Sequence, residues 1–253
     1  MNWLARLRYS ALLGGQVTVH LLRGKIHRRN TLEQLAAVGV ESLFIVLLTA
    51  VVISGVFTIQ VAREFIRFGA SSLIGGVLSL ALARELTPVI TAVILAGRMG
   101  SAFAAELGTM KVSEQMDALL LLRTDPVDYL VVPRVIACGV MVPMLALISL
   151  VVGLVGGMVI CRSAYGIATS QFLNSAQTFL QGWDLWACTI KALVFGVLVA
   201  IIGCGWGMTT SGGAKGVGKA TTDAVVTSLL AIFVSNFFLS WLLFQGPGSV
   251  LAG

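Results

Sequence analysis

Arg84 and Glu85 are adjacent charged residues inside a run that is otherwise apolar from Leu73 to Leu95, with Pro88 three positions further on. At the centre of a bilayer each ionised group costs roughly 2.5 to 3.5 kcal/mol on insertion scales, so neither belongs against lipid tails. The chemistry open to them is ionic recognition, since a guanidinium and a carboxylate each need a polar or oppositely charged partner. Two placements satisfy them. One is a water-containing cavity or bundle interior bordering a substrate path, the other the outer membrane interface, reached by snorkelling. Pro88 withdraws a backbone donor and favours a kink beside them. Lys191 stands nearer a span end, beyond Trp183, Asp184 and Trp186, and reads as a snorkelling lysine.

Covalent chemistry finds little support. The two histidines, His20 and His27, sit in a basic N-terminal region, and Cys138, Cys161, Cys188 and Cys204 lie in or at the ends of apolar runs without CxxC spacing. The cysteines read as small packing residues, and no cluster of His, Cys and carboxylate is expected to form a metal site or a nucleophilic triad. Gly213 to Lys219 (GAKGVGK) matches part of a phosphate-binding loop. It is followed by Ala220 where Ser or Thr would reach magnesium, and it follows a membrane run instead of a core strand. No catalytic residue, metal or cofactor is assigned to this chain.

The elements that must position these residues follow from composition. Of 253 residues 57% are hydrophobic and 11% charged, and the mean hydropathy is +0.96. That leaves too little polar surface to cover a soluble globule. The chain reads as an all-α integral membrane protein. A span needs about 20 apolar residues, and runs of that kind occur near Leu35 to Ile59, Leu73 to Leu95 with a weaker extension to Leu107, Leu130 to Ile160, Leu185 to Met208 and Ala224 to Phe244. Five transmembrane helices in a single domain, 31–253, are expected.

With the N-terminus in the cytoplasm, Arg6, Arg8, Arg23, Lys25, Arg28, Arg29, Lys111, Arg123, Arg134, Lys215 and Lys219 fall inside, and Arg63, Arg67 and Arg162 outside. The positive-inside rule therefore favours N-in, C-out. Residues 1–30 lack a signal-peptide pattern. Trp3, Leu4, Leu7, Leu12, Val19 and Leu22 alternate with basic residues, as in a helix lying in the interface, although a solvated basic tail has the same composition.

Between the second and third runs, Lys111 to Arg123 reads as an amphipathic helix. Val112, Met116, Leu119 and Leu120 share one face, and Lys111, Glu114, Gln115 and Asp117 take the rest. Such a helix lies on the membrane or docks to a soluble partner. Asp125 then caps a new helix with Pro126 at its first position and Asp128 in its first turn. Pro133 and Pro143 predict bends further along it.

Ala92, Ala96, Gly100, Ala104 and Gly108 form a small-xxx-small ladder down the second span. It admits close approach by another backbone, whether within the chain or from a second subunit. Gly153/Gly157 and Gly203/Gly207 repeat the spacing.

Three blocks in order carry a resemblance. They are Arg84 to Gly108 leading into Glu114 to Leu119 (RELTPV, AGRMGSAFAAELGTM, EQMDAL), Asp184 to Gly196 (DLWACTIKALVFG), and Gly212 to Val226 (GGAKGVGKATTDAVV). The chain resembles the MlaE/YrbE permeases of ABC systems that work with MCE-domain proteins to move lipids. Thr87 departs from the Gly that many members carry after Arg-Glu-Leu.

The resemblance implies a homodimeric permease subunit. Its coupling helix, around Ser113, Glu114, Gln115, Met116, Asp117 and Leu119, would seat in a cytoplasmic ABC ATPase dimer that holds the ATP and magnesium. It further implies a lipid cavity near Arg84 and Glu85, with Arg84 on a headgroup phosphate or paired with Glu85, and an MCE protein capping the outer side. No nucleic-acid partner is expected. The setting implied is a bacterial inner membrane, multi-pass, or a plastid inner envelope. A secondary transporter would need coupling-ion sites and related halves. A membrane scaffold would account for the ladders but not for Arg84, Glu85 or the docking helix.

Overall fold

The computed structural model describes residues 3–22 and 27–244. Arg23 and Lys25, counted above among the inside charges, lie outside the described residues. Among those described there is no strand. Five helices, Arg28–Arg67, Ser71–Val112, Val127–Tyr165, Gly182–Met208 and Gly213–Phe244, are long and apolar enough to cross a membrane. At 27 to 42 residues each exceeds the requirement of about 20. Three shorter helices accompany them: Trp3–Leu22 before the first span, Gln115–Leu121 between the second and third, and Thr169–Phe179 between the third and fourth.

The second span is not a uniform α-helix. It opens with a 3-10 turn at Ser71–Leu73 and carries π-turns at Leu82–Leu86 and Ala96–Gly100, while the third span opens with another at Val127–Val131. Such single-turn bulges add a residue to the helix and re-aim the side chains around them. The first holds Arg84 and Glu85, the second Arg98. Pro88 lies just past the first bulge and the helix continues through it. Pro143 is likewise inside a continuous helix.

The chain divides into two compact units. One is built from Met1–Ser42, Ala92–Val142 and Leu193–Ser235, the other from Leu43–Thr91, Pro143–Ala192 and Asn236–Gly253.

In the first unit Ala104, Ile202, Trp206 and Ala224 form a buried cluster with Leu7 against it. Helix Trp3–Leu22 docks there through Ser10, Leu13 and Val17, all buried, and leaves Leu4 and Leu12 exposed. Trp3 Nε1 donates to Thr227 Oγ1 at 3.2 Å, and Arg6 stands 3.9 Å from Asp223. The N-terminal segment is thus a helix with one apolar face on the protein and a second left open.

In the second unit the core joins Ile74, Leu78, Leu82, Leu150, Ile167 and Phe172. Helix Thr169–Phe179 crosses the start of the second span so closely that a Cβ on Gly75 would sit 2.2 Å from the Phe172 carbonyl oxygen. The Gly76 N–H donates to Ser175 Oγ at 2.9 Å. Gly75 is required here because its missing side chain is what lets the two backbones touch.

Candidate functional site

The second unit assembles a charged cluster from the second, fourth and fifth spans. On the fourth span Asp184 and Lys191 are seven residues apart, two helical turns, and so share a face. That face meets the π-turn carrying Arg84 and Glu85. Arg84 Nε donates to Asp184 Oδ1 at 2.7 Å, and Lys191 Nζ donates to Glu85 Oε1 at 2.8 Å. Of the two partners expected for Arg84, a headgroup phosphate or Glu85, the second is replaced by two ion pairs across helices. Adjacent residues on one helix point in different directions, and the partners come from a segment 100 positions away.

Lys191 also corrects an expectation. Its side chain is fully buried, and its three donors go to Glu85, to Ser240 Oγ at 2.7 Å and to the carbonyl oxygen of Arg84 at 2.7 Å. An α-helix would bond that carbonyl to the N–H of residue 88, which Pro88 lacks. The lysine is held inward by these three acceptors instead of snorkelling. From the fifth span Asn236 Nδ2 donates to Glu85 Oε2 and Ser240 Oγ to Glu85 Oε1, both at 2.8 Å. Asp184 is held in turn by the Gln181 N–H at 2.9 Å.

With Nε committed to Asp184, the two terminal nitrogens of Arg84 have no hydrogen-bond partner among the described residues. The side chain is one-third exposed, and its guanidinium lies 4.5 Å from the centre of the Phe244 ring. It borders a cavity of about 540 Å³ whose walls include Val77, Phe237, Trp241 and Phe244, with Glu85 and Ser240 beside Arg84. Greasy walls around a small number of fixed polar groups suit a ligand with an apolar body and a polar, anionic head.

The first unit holds the remaining sequence-derived residues. Ala92, Ala96 and Ala104 are fully buried, as are Gly100 and Gly108. The ladder faces the fourth span: a Cβ on Gly203 would lie 2.9 Å from the Gly100 carbonyl oxygen, and one on Gly207 3.1 Å from that of Ala104.

The amphipathic segment differs from its expected bounds. Lys111 and Val112 complete the second span, Ser113 and Glu114 turn, and the helix itself is Gln115–Leu121. Glu114 makes the turn with φ 59°, and its carbonyl accepts from the Asp117 and Ala118 N–H groups, both at 3.1 Å. Met116 is buried and Leu119 half-buried, while Leu120, Leu121 and Leu122 stand exposed. Lys111 Nζ reaches Asp117 Oδ1 at 3.4 Å. Asp125 caps the third span by accepting from the Val127 N–H at 2.9 Å.

Three further ionic groups escaped the sequence reading. Arg98 pairs with Glu41 at 3.0 Å and donates to the Ala37 carbonyl at 3.1 Å and to Ser42. Arg134, buried, pairs with Glu106 at 2.7 Å. Contrary to expectation, a histidine and two carboxylates do meet: His20 Nδ1 is 2.6 Å from Asp128 Oδ1 and its Nε2 is 3.8 Å from Asp125 Oδ2. More than 100 residues separate them, which hid the cluster. Each ring nitrogen faces a different carboxylate, an arrangement that bridges helix Trp3–Leu22 to the start of the third span. Gly213 to Lys219 are helical from Gly213 onward and offer no loop to wrap a phosphate.

A family model described as Permease MlaE matches residues 31–242. A probable ABC transporter permease protein of Synechocystis sp. is 65% identical over 251 residues, covering 99% of this chain and 95% of that protein. The chloroplastic protein trigalactosyldiacylglycerol 1 of Arabidopsis thaliana is 51% identical over 240 residues, 95% of this chain and 69% of the relative. A probable ABC transporter permease protein of Rickettsia typhi is 42% identical over 214 residues, 85% of this chain and 83% of that one.

Proposed function

From the premise that this chain belongs to the MlaE permease family, we propose that it is the membrane subunit of an ATP-driven transporter whose substrate is a glycerophospholipid or a related polar lipid. The observation that carries the reading is Arg84: anchored through Nε, with two terminal nitrogens that have no hydrogen-bond partner among the described residues, it lines a cavity walled by Phe237, Trp241 and Phe244. A headgroup phosphate takes a guanidinium through such paired donors, and acyl chains take the aromatic walls.

In this reading two copies of the chain enclose the lipid path, and an MCE-domain protein receives or delivers lipid on the outer side. ATP and magnesium reside in a cytoplasmic ABC ATPase dimer. The N-terminus is cytoplasmic, in a bacterial inner membrane or a plastid inner envelope. Ser113, Glu114, Gln115, Met116, Asp117 and Leu119 form the coupling contact. Exposed Leu120, Leu121 and Leu122 beside the carboxylates of Glu114 and Asp117 support a docking role. Closure of the ATPase would act through Gln115–Leu121 on the second and third spans, which flank it in the chain. Transport follows only if the cavity's affinity for lipid differs between the two states.

The test is purification of the tagged chain from native membranes in mild detergent, with mass spectrometry of proteins and lipids together. Recovery of an ABC ATPase, an MCE-domain protein and a bound phospholipid is the expected result. Recovery of the chain with neither protein contradicts the proposal.

A further inference from the structure

We propose that the first unit carries a second lipid-facing site, separate from the Arg84 cavity, that takes an uncharged, hydroxyl-rich ring such as the sugar headgroup of a glycolipid. Its place is a cavity of about 180 Å³ between the beginnings of the first and third spans, lined by Asn30, Glu33, Gln34, Tyr129, Pro133 and Arg134. That is far above the roughly 10–15 Å³ that seats one water.

The lining has already settled its charges. Arg134 is only 6% exposed and meets Glu106 Oε2 at 2.7 Å. The Glu33 carboxylate meets Arg29 Nε at 3.2 Å. A phosphate would find no unpaired buried cation in this lining, since Arg134 is spent on Glu106. What remains is a set of unused hydrogen-bonding atoms. Arg134 directs NH1 to the Leu130 carbonyl and NH2 to Glu106, and its Nε is enclosed, out of reach of a ligand, so the atoms on offer belong to Asn30, Glu33 and Gln34.

Asn30 spends its Nδ2 on the Tyr129 carbonyl at 3.4 Å, which leaves the amide oxygen as an acceptor. Gln34 adds a second amide and Glu33 a second carboxylate oxygen. Donors and acceptors mixed in one small cavity match sugar hydroxyls, each of which does both. Tyr129, edge-on to His27 with ring centres 5.4 Å apart, and Pro133 supply flat apolar surface for the C–H face of such a ring. The flanking residues fit the depth. Arg28 and Arg29 begin the first span and Asp125 caps the third, so the cavity lies where both helices leave the polar zone. This inference does not rest on the transport reading.

The experiment places the wild-type chain, Asn30→Ala and Gln34→Trp in phosphatidylcholine nanodiscs doped either with a monogalactosyl diacylglycerol or with phosphatidylglycerol. Native mass spectrometry then counts lipid retained on the protein. A thermal unfolding curve of each variant is recorded alongside.

Retention of the galactolipid is expected to fall about five- to tenfold in Asn30→Ala, the worth of one neutral hydrogen bond. It should vanish in Gln34→Trp, where the indole fills the cavity. Phosphatidylglycerol retention should not distinguish the three proteins. Soluble methyl galactoside separates the two sources of the same chemistry: failure to displace the galactolipid identifies a lipid site, and ready displacement identifies a free-sugar site. Equal galactolipid retention by all three proteins overturns the proposal, as does selective loss of phosphatidylglycerol. A purely structural role for Asn30 would lower its melting temperature without changing which lipid is retained.

Discussion

Lys191 Nζ lies 2.7 Å from the carbonyl oxygen of Arg84, the acceptor that in a regular α-helix would face residue 88, a proline without an N–H. The proline, the π-turn and the buried lysine are thus one device. A cation from the fourth span meets the Arg84 carbonyl at the π-turn, and the same cation neutralises Glu85. The arrangement fixes Arg84 in orientation as well as charge, since its carbonyl and its guanidinium are both held from the fourth span.

Lys191→Met should be among the most destabilising single changes in the second unit. It leaves Glu85 and the Arg84 carbonyl without their cationic partner. Breaking a fully enclosed pair costs about 3–5 kcal/mol, and the partial exposure of Glu85 places this one toward the low end. Thermal unfolding in detergent should show the drop, and the double variant Lys191→Met/Glu85→Gln should recover part of it. A double variant no more stable than the single one would show that the pair does not act as a unit.

Arg84→Lys should assemble normally and bind phospholipid poorly. An ammonium can keep the contact with Asp184, but it cannot also present a planar pair of donors to a headgroup. A loss of about tenfold in retained phospholipid, equivalent to about 1.4 kcal/mol, is the expected result from native mass spectrometry. Retention equal to wild type would remove the headgroup role.

Gly203→Val should destabilise the first unit by roughly 1–3 kcal/mol, because the new side chain meets the Gly100 backbone, which cannot move aside. Even its Cβ would be 2.9 Å from a carbonyl oxygen. Gly97→Ala is the matched control, since nothing lies within 4 Å of a Cβ there. Comparable melting temperatures for the two variants would contradict the packing described for the ladder.

Reversing charge at Glu114 and Asp117 together should release or uncouple the ATPase while leaving the permease folded. Both residues are exposed, and substitutions of that kind usually change stability by no more than about 0.5 kcal/mol. Co-purification and lipid-stimulated ATP hydrolysis are the readouts. Unaltered association and stimulation would take the coupling role away from this turn.

The spans were legible because apolar runs of sufficient length have few alternatives. The Asp125–Pro126 start was legible because a cap acts on its own neighbours. Arg84 and Glu85 stood out by their cost in an apolar run, but their partners did not. Asp184 stands among the residues flanking a span, and Lys191 lies close enough to a span end to pass as snorkelling. The usable signal was their seven-residue spacing, which puts opposite charges on one face to meet an Arg-Glu dipeptide. The His20 cluster and the Arg134–Glu106 pair join residues whose proximity depends on tertiary packing, and no local pattern encodes it. The docking helix is shorter than its periodicity suggests at both ends: Lys111 and Val112 fit both helices and belong to the second span, Glu114 turns with φ 59°, and Leu122 and Arg123 turn out of it with Arg123 at φ 57°.

The most direct test of the central claim is ATP-driven lipid transfer by the purified complex in proteoliposomes, wild type against Arg84→Ala, with assembly checked by size-exclusion chromatography. The account predicts ATP-dependent movement of a fluorescent phospholipid by the wild type and its loss in Arg84→Ala with the complex intact. Wild-type transfer rates in Arg84→Ala would contradict the assignment of this cavity to the lipid.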